Sequence, residues 1–223
     1  MIDFYYWPTP NGWKVSIMLE ELSVPYETHY INIGAGDQYT AEFLAISPNN
    51  RMPAIVDRDT GTSVFESGAI LWYLAEKTGR FLSSDPVERK ETMEWLYWQT
   101  GNLGPMAGQH SHFWNYAPDA DKEGYAAKRY RDQYIHMLGV LDRRLDGRDY
   151  IVGDYGIADM MSWPWVLIAK AMGVPLDDFL HLSAWRQRVK ERPAVQRGVA
   201  LGKDSRRERP PTEEERKTLF GQK

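Results

Sequence analysis

Residues 47–77 combine, in this order, a proline-containing loop, a short apolar run, a turn with glycine and the start of a helix. Residues 54–56 are apolar and directly follow Met52-Pro53, and Gly61 lies in the turn before a second short run. Two such runs joined by a glycine-containing turn predict a β-hairpin. Proline cannot donate to a strand ladder, so the backbone of Met52 is expected to pair elsewhere, for example with an extended ligand.

Glu66 and Ser67 open the helix that follows this hairpin. A hydroxyl and free amides at a helix start can hold an anion such as an α-carboxylate, and Glu66 can pair with an ammonium group. One zwitterionic group would therefore satisfy both residues. The alternative is local: Ser67 is simply an N-cap and Glu66 an acidic residue of the first turn.

The beginning of the chain predicts a strand, a helix and a second strand. Residues 2–7 are aromatic and apolar and end at the turn sequence Pro-Thr-Pro-Asn-Gly of residues 8–12, and residues 26–33 alternate as a strand. Asn11 is the expected N-cap of the helix between them. The apolar face of that helix consists of Val15, Met18, Leu19 and Leu22. The two strands should run parallel.

A short helix within residues 40–46, the hairpin and a helix over residues 66–77 complete the order β-α-β-α-β-β-α. This order is typical of a thioredoxin-like α/β domain, which we place at residues 1–80. A linker then leads to residues 87–202, which contain helical stretches only and predict an all-α C-terminal domain. The helices are expected over residues 86–101, 120–145, 157–172 and 182–192.

The last residues, 203–223, mix charges around Pro210-Pro211 and predict a flexible tail. Near the middle of the helical domain, Asp159 can accept hydrogen bonds from free amides at a helix start. Gly156 stands where a hydroxyl residue would complete the reciprocal capping pair. We assign this motif to folding and not to catalysis.

The composition excludes several classes of function. The 223 residues include no cysteine, so a protein thiol nucleophile, disulfides and thiolate metal sites are excluded, and thiol chemistry would need a borrowed thiol. The net charge is −4 and no basic stretch interleaves with aromatics, which argues against a nucleic-acid partner. No apolar run approaches the ~20 residues that cross a bilayer, so we expect no membrane partner and a cytoplasmic location.

His110 and His112 lack further ligands at usable spacing and do not predict a metal site.

Met52-Pro53, the hairpin and the sequence Glu-Ser-Gly-Ala-Ile of residues 66–70 resemble the glutathione site of the glutathione transferase superfamily. Residues 8–12 and the sequence Ile-Ser-Pro-Asn-Asn-Arg-Met-Pro of residues 46–53 look most similar to the bacterial Nu class, whose members reduce disulfides with glutathione. The resemblance covers nearly the whole chain. It implies the glutathione transferase fold, glutathione as co-substrate and no metal.

The chemistry that this resemblance implies needs an activated thiol. A free thiol has a pKa near ~8.5, so a glutathione thiolate requires donors aimed at its sulfur. Thr9 offers a hydroxyl and Asn11 an amide at the start of the first helix, where the helix field also favours an anion. The resemblance assigns the catalytic role to Thr9 and Asn11, ahead of the nearby hydroxyls of Tyr5, Tyr6 and Ser16.

The resemblance also implies a set of glutathione-binding residues. Gln38 would donate to the glutathione backbone or its terminal carboxylate, and Met52 would pair through its backbone before a cis Pro53. Arg129 would reach across a homodimer to glutathione. The full set is Asn11, Gln38, Met52, Glu66, Ser67 and Arg129. Since residues 1–80 contain five basic and ten acidic residues, local donors rather than long-range attraction must hold the anionic peptide.

We therefore expect a homodimeric glutathione-dependent disulfide-bond reductase that acts on a small-molecule disulfide without a protein cysteine. An alternative is a transferase that conjugates glutathione to an electrophile, because it would use the same thiolate and differ only in the pocket for the second substrate. A further alternative is a non-catalytic glutathione-binding regulatory module.

Overall fold

The computed structural model describes residues 1–205 and 212–220. Contacts between residues divide the chain into two compact units. The first contains Met1–Thr78 together with Pro193–Lys223, and the second is Gly79–Arg192. No helix of the described residues is long and apolar enough to cross a membrane.

Four strands form a mixed sheet in the first unit: β1 (Ile2–Tyr6), β2 (Tyr26–Tyr30), β3 (Ala54–Asp57) and β4 (Thr62–Phe65). The strand order is β2-β1-β3-β4. β1 is parallel to β2 and antiparallel to β3, and β3 and β4 are antiparallel. The predicted parallel pair and the predicted hairpin are confirmed, although β2 is shorter than residues 26–33.

Three helices complete the thioredoxin-like order: α1 (Pro10–Leu22), α2 (Ala41–Ile46) and α3 (Ser67–Thr78). The β-α-β-α-β-β-α prediction is confirmed. α1 differs from the predicted one-faced helix, because every residue from Gly12 to Leu19 is buried. The polar side chains of Lys14 and Ser16 therefore lie in the interior together with the predicted apolar face.

The second unit is all helical, as predicted. Its helices are α4 (Pro86–Trp98), α5 (Gly104–Asn115), α6 (Tyr125–Arg144), α7 (Ile157–Leu167) and α8 (Leu180–Lys190). α5 was not predicted, since Gly101, Gly104 and Pro105 indicate a break in the helix. The chain instead continues from α4 into α5 through a π-helical turn, Gln99–Leu103, and Pro105 lies in the first turn of α5.

A ninth helix, α9 (Pro193–Ala200), packs on α1. Ser16 Oγ donates to the carbonyl of Gly198 over 2.7 Å, and Tyr6 Oη donates to the carbonyl of Leu201 over 3.0 Å. The sequence-based limits 1–80 and 87–202 would assign α9 to the helical domain, whereas these contacts join it to the strands and to α1.

Two parts of the predicted tail are described: a 3-10 turn, Lys203–Ser205, and the helix α10 (Glu213–Phe220). Tyr39 Oη donates to the carbonyl of Thr218 over 3.2 Å, so α10 touches the loop after β2. Residues 206–211 and 221–223 lie outside the described residues. The flexibility of the tail stays a prediction.

Candidate glutathione site

Thr9 connects the end of β1 to the start of α1. It is the N-cap of α1, with an extended backbone (φ −125°, ψ 164°), and its Oγ1 accepts a hydrogen bond from the amide of Gly12. Asn11 is therefore not the N-cap, and this expectation was wrong. Pro10 takes the first helical position, where its fixed φ fits a helix, so the N-cap falls on Thr9 and Asn11 lies within the first turn.

The hydroxyl of Thr9 also faces the loop that precedes β3. Thr9 Oγ1 donates to Met52 Sδ over 3.8 Å. The Met52-Pro53 peptide bond is cis, as the resemblance implies. Because the ladders of β3 reach only to Ala54, the backbone of Met52 lies beyond the paired strands. The structure thus brings together a hydroxyl at a helix start and a backbone segment that lies beyond the paired strands.

Gln38 is buried in the loop between β2 and α2. Its Nε2 donates to the carbonyl of Ile33 over 3.2 Å. Its Oε1 is buried and has no hydrogen-bond partner among the described residues. A buried acceptor without a partner costs about 1–3 kcal/mol. The side chain was expected to donate to a ligand, but this geometry favours an oxygen that accepts from a ligand N–H.

Glu66 and Ser67 lie where β4 passes into α3. Glu66 has a left-handed backbone (φ 70°), which is rare for a residue with a side chain, and its carbonyl accepts the first helical hydrogen bond, from Ile70. Ser67 is buried inside α3 rather than at the N-cap, so the simple capping alternative does not describe it. Strained backbone of this kind is typical of ligand-binding positions.

Lys14 was missed by the sequence analysis. It lies on α1 with its side chain buried, and its Nζ donates to Ser67 Oγ over 3.4 Å. Burial lowers the pKa of Lys14 to about 7, while the charge of Glu66 acts in the opposite direction. No local signal identifies it, because a lysine beside the apolar face of an amphipathic helix ordinarily extends its ammonium group into solvent.

The other hydroxyl-bearing side chains near Thr9 make contacts within the protein. Tyr6 and Ser16 are fully buried, and both donate to backbone carbonyls of the C-terminal segment, as described above. Tyr5 stacks on the ring of His29 with centroids 4.9 Å apart. The preference for Thr9 and Asn11 over these side chains stays a prediction.

Arg129 lies exposed near the start of α6 in the second unit. Its expected action across a homodimer stays a prediction.

One group of metal-type side chains occurs among the described residues: Asp3, Glu27 and His29, whose ligand atoms lie within 4.8 Å of one another. The guanidinium of Arg58 donates to both carboxylates. Hydrogen bonding from Arg58 lowers the pKa of Asp3 to about 2, although burial acts against it. This group is an ion-pair network in which Arg58 already supplies the positive charge.

Two family models match the chain. Residues 9–77 match the N-terminal domain of glutathione S-transferase, and residues 110–193 match its C-terminal domain. Among curated relatives, the disulfide-bond oxidoreductase YfcG of Escherichia coli is 46% identical over 90% of this chain and 94% of its own length. The disulfide-bond oxidoreductase YghU of the same organism is 41% identical over 88% of this chain and 73% of its own.

Solved structures are similar over the same extent. A glutathione transferase of Pseudomonas putida with one glutathione disulfide bound per subunit has a TM-score of 0.84 and 41% identity, and the match covers 90% of this chain and 91% of that one. A glutathione transferase of Burkholderia graminis with two glutathione molecules bound per subunit has a TM-score of 0.85 and 41% identity, over 91% and 88% of the two chains.

Proposed function

Since the chain belongs to the glutathione S-transferase family, we propose that it reduces small disulfides with glutathione as the only thiol. Glutathione is its co-substrate. The sequence has no cysteine, so both sulfur nucleophiles come from glutathione. Within the family we place the chain in the Nu class, in the cytoplasm.

The reaction has two exchange steps. The thiolate of one glutathione attacks a sulfur of the disulfide, which forms a mixed disulfide and releases the other sulfur as a thiolate. A second glutathione thiolate attacks the glutathione sulfur of the mixed disulfide, which leaves oxidised glutathione and a second released thiolate. The two protons from the glutathione thiols pass to the released thiolates, so two electrons move from glutathione to the substrate.

The observation that carries the proposal is the position of the Thr9 hydroxyl, at the start of α1 and beside Met52. A hydroxyl and an amide aimed at a thiol sulfur can lower its pKa, and each unit of pKa corresponds to about 1.4 kcal/mol. Thr9 and Asn11 are the two donors in this proposal. The names of the two curated relatives and the glutathione disulfide in the P. putida protein support the choice of reaction.

The remaining side chains hold glutathione. Met52 pairs with the cysteinyl backbone beyond the end of β3, and the unpaired Gln38 Oε1 accepts from a glutathione N–H. Glu66 pairs with the amino group of the γ-glutamyl residue, and Ser67 binds its carboxylate. We also propose a homodimer in which Arg129 of one protomer contacts glutathione bound to its partner.

The test is turnover of 2-hydroxyethyl disulfide with glutathione, followed through oxidised glutathione, beside an aromatic-halide conjugation assay. We expect disulfide reduction to dominate. Thr9→Ala and Asn11→Ala should each lower kcat/KM by roughly 10- to 100-fold, because each removes a hydrogen bond to a thiolate. Thr62→Ala, which changes an exposed threonine on β4, is the matched control and should leave turnover unchanged.

Other outcomes distinguish the alternatives. Conjugation without disulfide reduction would identify a conjugating transferase. Glutathione binding without either activity would identify a binding module. If the Thr9 and Asn11 variants kept full disulfide turnover, the assignment of the donors would be wrong.

A further inference from the structure

Lys14 is a buried lysine beneath the pair Glu66-Ser67. Only 2% of its surface is exposed, although lysine is almost never fully buried unless a partner compensates its charge. It lies on α1, the helix that begins at Thr9, and α1 packs on α3, the helix that begins at Ser67. Lys14 thus touches the proposed glutathione site from the interior of the domain.

The hydrogen bond between Lys14 and Ser67 has a defined direction when the lysine is charged. An ammonium group can only donate, so Ser67 Oγ accepts from Lys14 Nζ over 3.4 Å. The proton of the Ser67 hydroxyl is then directed away from Lys14, and a bound carboxylate can accept it. Neutral Lys14 could accept that proton instead, which would turn the hydroxyl away from a ligand.

We infer that Lys14 is a positioning residue for glutathione: it orients the Ser67 hydroxyl toward the α-carboxylate of the γ-glutamyl residue and supplies positive charge behind that carboxylate. The inference rests on the proposed function, because it assumes that Ser67 faces glutathione. Lys14 itself does not touch the reacting sulfur.

The charges around Lys14 set the direction of a pH effect. Burial lowers its pKa to about 7, and Glu66 is the charged group that acts against burial. Three other charged side chains on α1 and on the helices packed against it have partners: Lys77 of α3 pairs with Asp57, and Arg197 of α9 pairs with Glu20 of α1. Glu21 and Glu76 lie in the last turns of α1 and α3.

A bound carboxylate adds a negative charge beside the lysine and favours its charged form. Binding near neutral pH should therefore take up protons, and by linkage the affinity should fall as pH rises through about 7.

The first experiment compares two ligands by calorimetry: glutathione, and γ-aminobutyryl-cysteinylglycine, which lacks the α-carboxylate. The unmodified protein should prefer glutathione. Lys14→Met should weaken glutathione binding by roughly tenfold or more and leave the decarboxylated analogue nearly unaffected. Lys90→Met, at an exposed lysine of α4 that pairs with Glu94, is the matched control and should change neither affinity.

A merely structural role for Lys14 predicts a different result, namely that Lys14→Met weakens both ligands equally. That result would overturn the inference. Ser67→Ala should lose the same preference for the carboxylate, and the double variant should lose little more, because the two residues act on one group.

The second experiment needs no variant. Binding of S-methylglutathione, whose thiol cannot titrate, is measured near pH 7 in buffers of different ionisation enthalpy. We expect uptake of a fraction of a proton per ligand, and affinity that falls between about pH 6 and about pH 8. Lys14→Arg, which stays charged, should remove the pH dependence and keep the preference for the carboxylate. Absence of proton uptake by the unmodified protein would contradict the inference.

The two proposals fail in different ways. If the unmodified protein binds neither glutathione nor S-methylglutathione, the proposed function is wrong. If it binds glutathione and does not distinguish the decarboxylated analogue, the proposed function stands and the role of Lys14 is refuted.

Discussion

Asp159 is a fully buried carboxylate with three donors around it. Its Oδ1 accepts from the amide of Ile151 over 3.0 Å and from the indole of Trp185 over 2.7 Å, and its Oδ2 accepts from the amide of Gly156 over 3.0 Å. Burial raises its pKa to about 6, so it is mostly ionised near neutral pH. Gly156 has no side chain, so the reciprocal half of the capping pair is missing, as the sequence indicates.

Replacement of this carboxylate should destabilise the second unit. Asp159→Ala leaves two buried donors and one partly buried donor without an acceptor, and we expect the free energy of unfolding to fall by at least about 3 kcal/mol. Asp154→Ala, at an exposed position five residues earlier, should change it by less than about 0.5 kcal/mol. Urea unfolding measures both. Equal effects of the two substitutions would show that the hydrogen bonds of Asp159 contribute little.

The contact between α1 and α9 leaves no space for a side chain at Gly198. A Cβ atom at Gly198 would lie 2.7 Å from the amide nitrogen of Ile17 and 2.8 Å from its Cα. Backbone atoms cannot move aside as a flexible side chain can, so a side chain here would push the two helices apart. Arg197 adds an ion pair with Glu20 on the rim of this contact.

Gly198→Ala should therefore destabilise the protein by about 1–3 kcal/mol, as overpacking does. Gly101→Ala is the matched control, because nothing lies within 4 Å of a Cβ at that helical position. That substitution should be neutral or stabilise by up to about 1 kcal/mol. Thermal and urea unfolding of the two variants provide the comparison, and a stability loss confined to Gly101→Ala would contradict the packing argument.

At the level of elements, the sequence was informative wherever local patterns decide the structure. The hairpin around Gly61 and the parallel pair β1 and β2 follow from short apolar runs and turn residues, which act over a few positions. The sequence patterns did not predict α5 and α9. Gly104 and Pro105 indicate a break that a π-helical turn removes, and α9 is short and owes its place to contacts with α1.

The same holds for the candidate site: local motifs identify some of its residues, whereas residues buried by distant segments are missed. Thr9, Met52 and Glu66 could be identified from a motif that is local in the chain, and the resemblance extended the set to Gln38. Lys14 could not be identified in this way, because it is buried on α1 and its partner Ser67 belongs to α3, which lies far along the sequence. From the sequence alone, a polar side chain on a helix is predicted to be solvated, because the distant segment that covers it is not known.

The net negative charge of residues 1–80 is partly offset by net positive charge at the C-terminal end of the chain. Residues 1–80 contain five basic and ten acidic residues, whereas residues 193–223 contain eight basic and five acidic residues. Residues 1–78 of the first part and all of the second part belong to one compact unit. The C-terminal segment therefore offsets most of the negative charge of the domain that carries the proposed site for an anionic peptide.

The proposed homodimer gives a prediction for Arg129. Arg129→Ala should raise the KM for glutathione several-fold while the mass in solution, measured by light scattering, stays that of a dimer. Arg131→Ala, an exposed arginine two positions further on α6, is the control and should leave KM unchanged. A protein that is monomeric and fully active would refute both the dimer and the role of Arg129.

Because α9 packs on α1, the first unit can be completed only late in synthesis of the chain. A ribosome makes the four strands and α1 first, then the whole unit Gly79–Arg192, and only afterwards the helix that covers Ser16 and Ile17. The domain that is made first is therefore completed last, and its α1 stays uncovered while the intervening helices emerge. Exposed apolar surface on a growing chain is what chaperones bind, so the nascent protein presents such a surface until its C-terminal segment has left the exit tunnel.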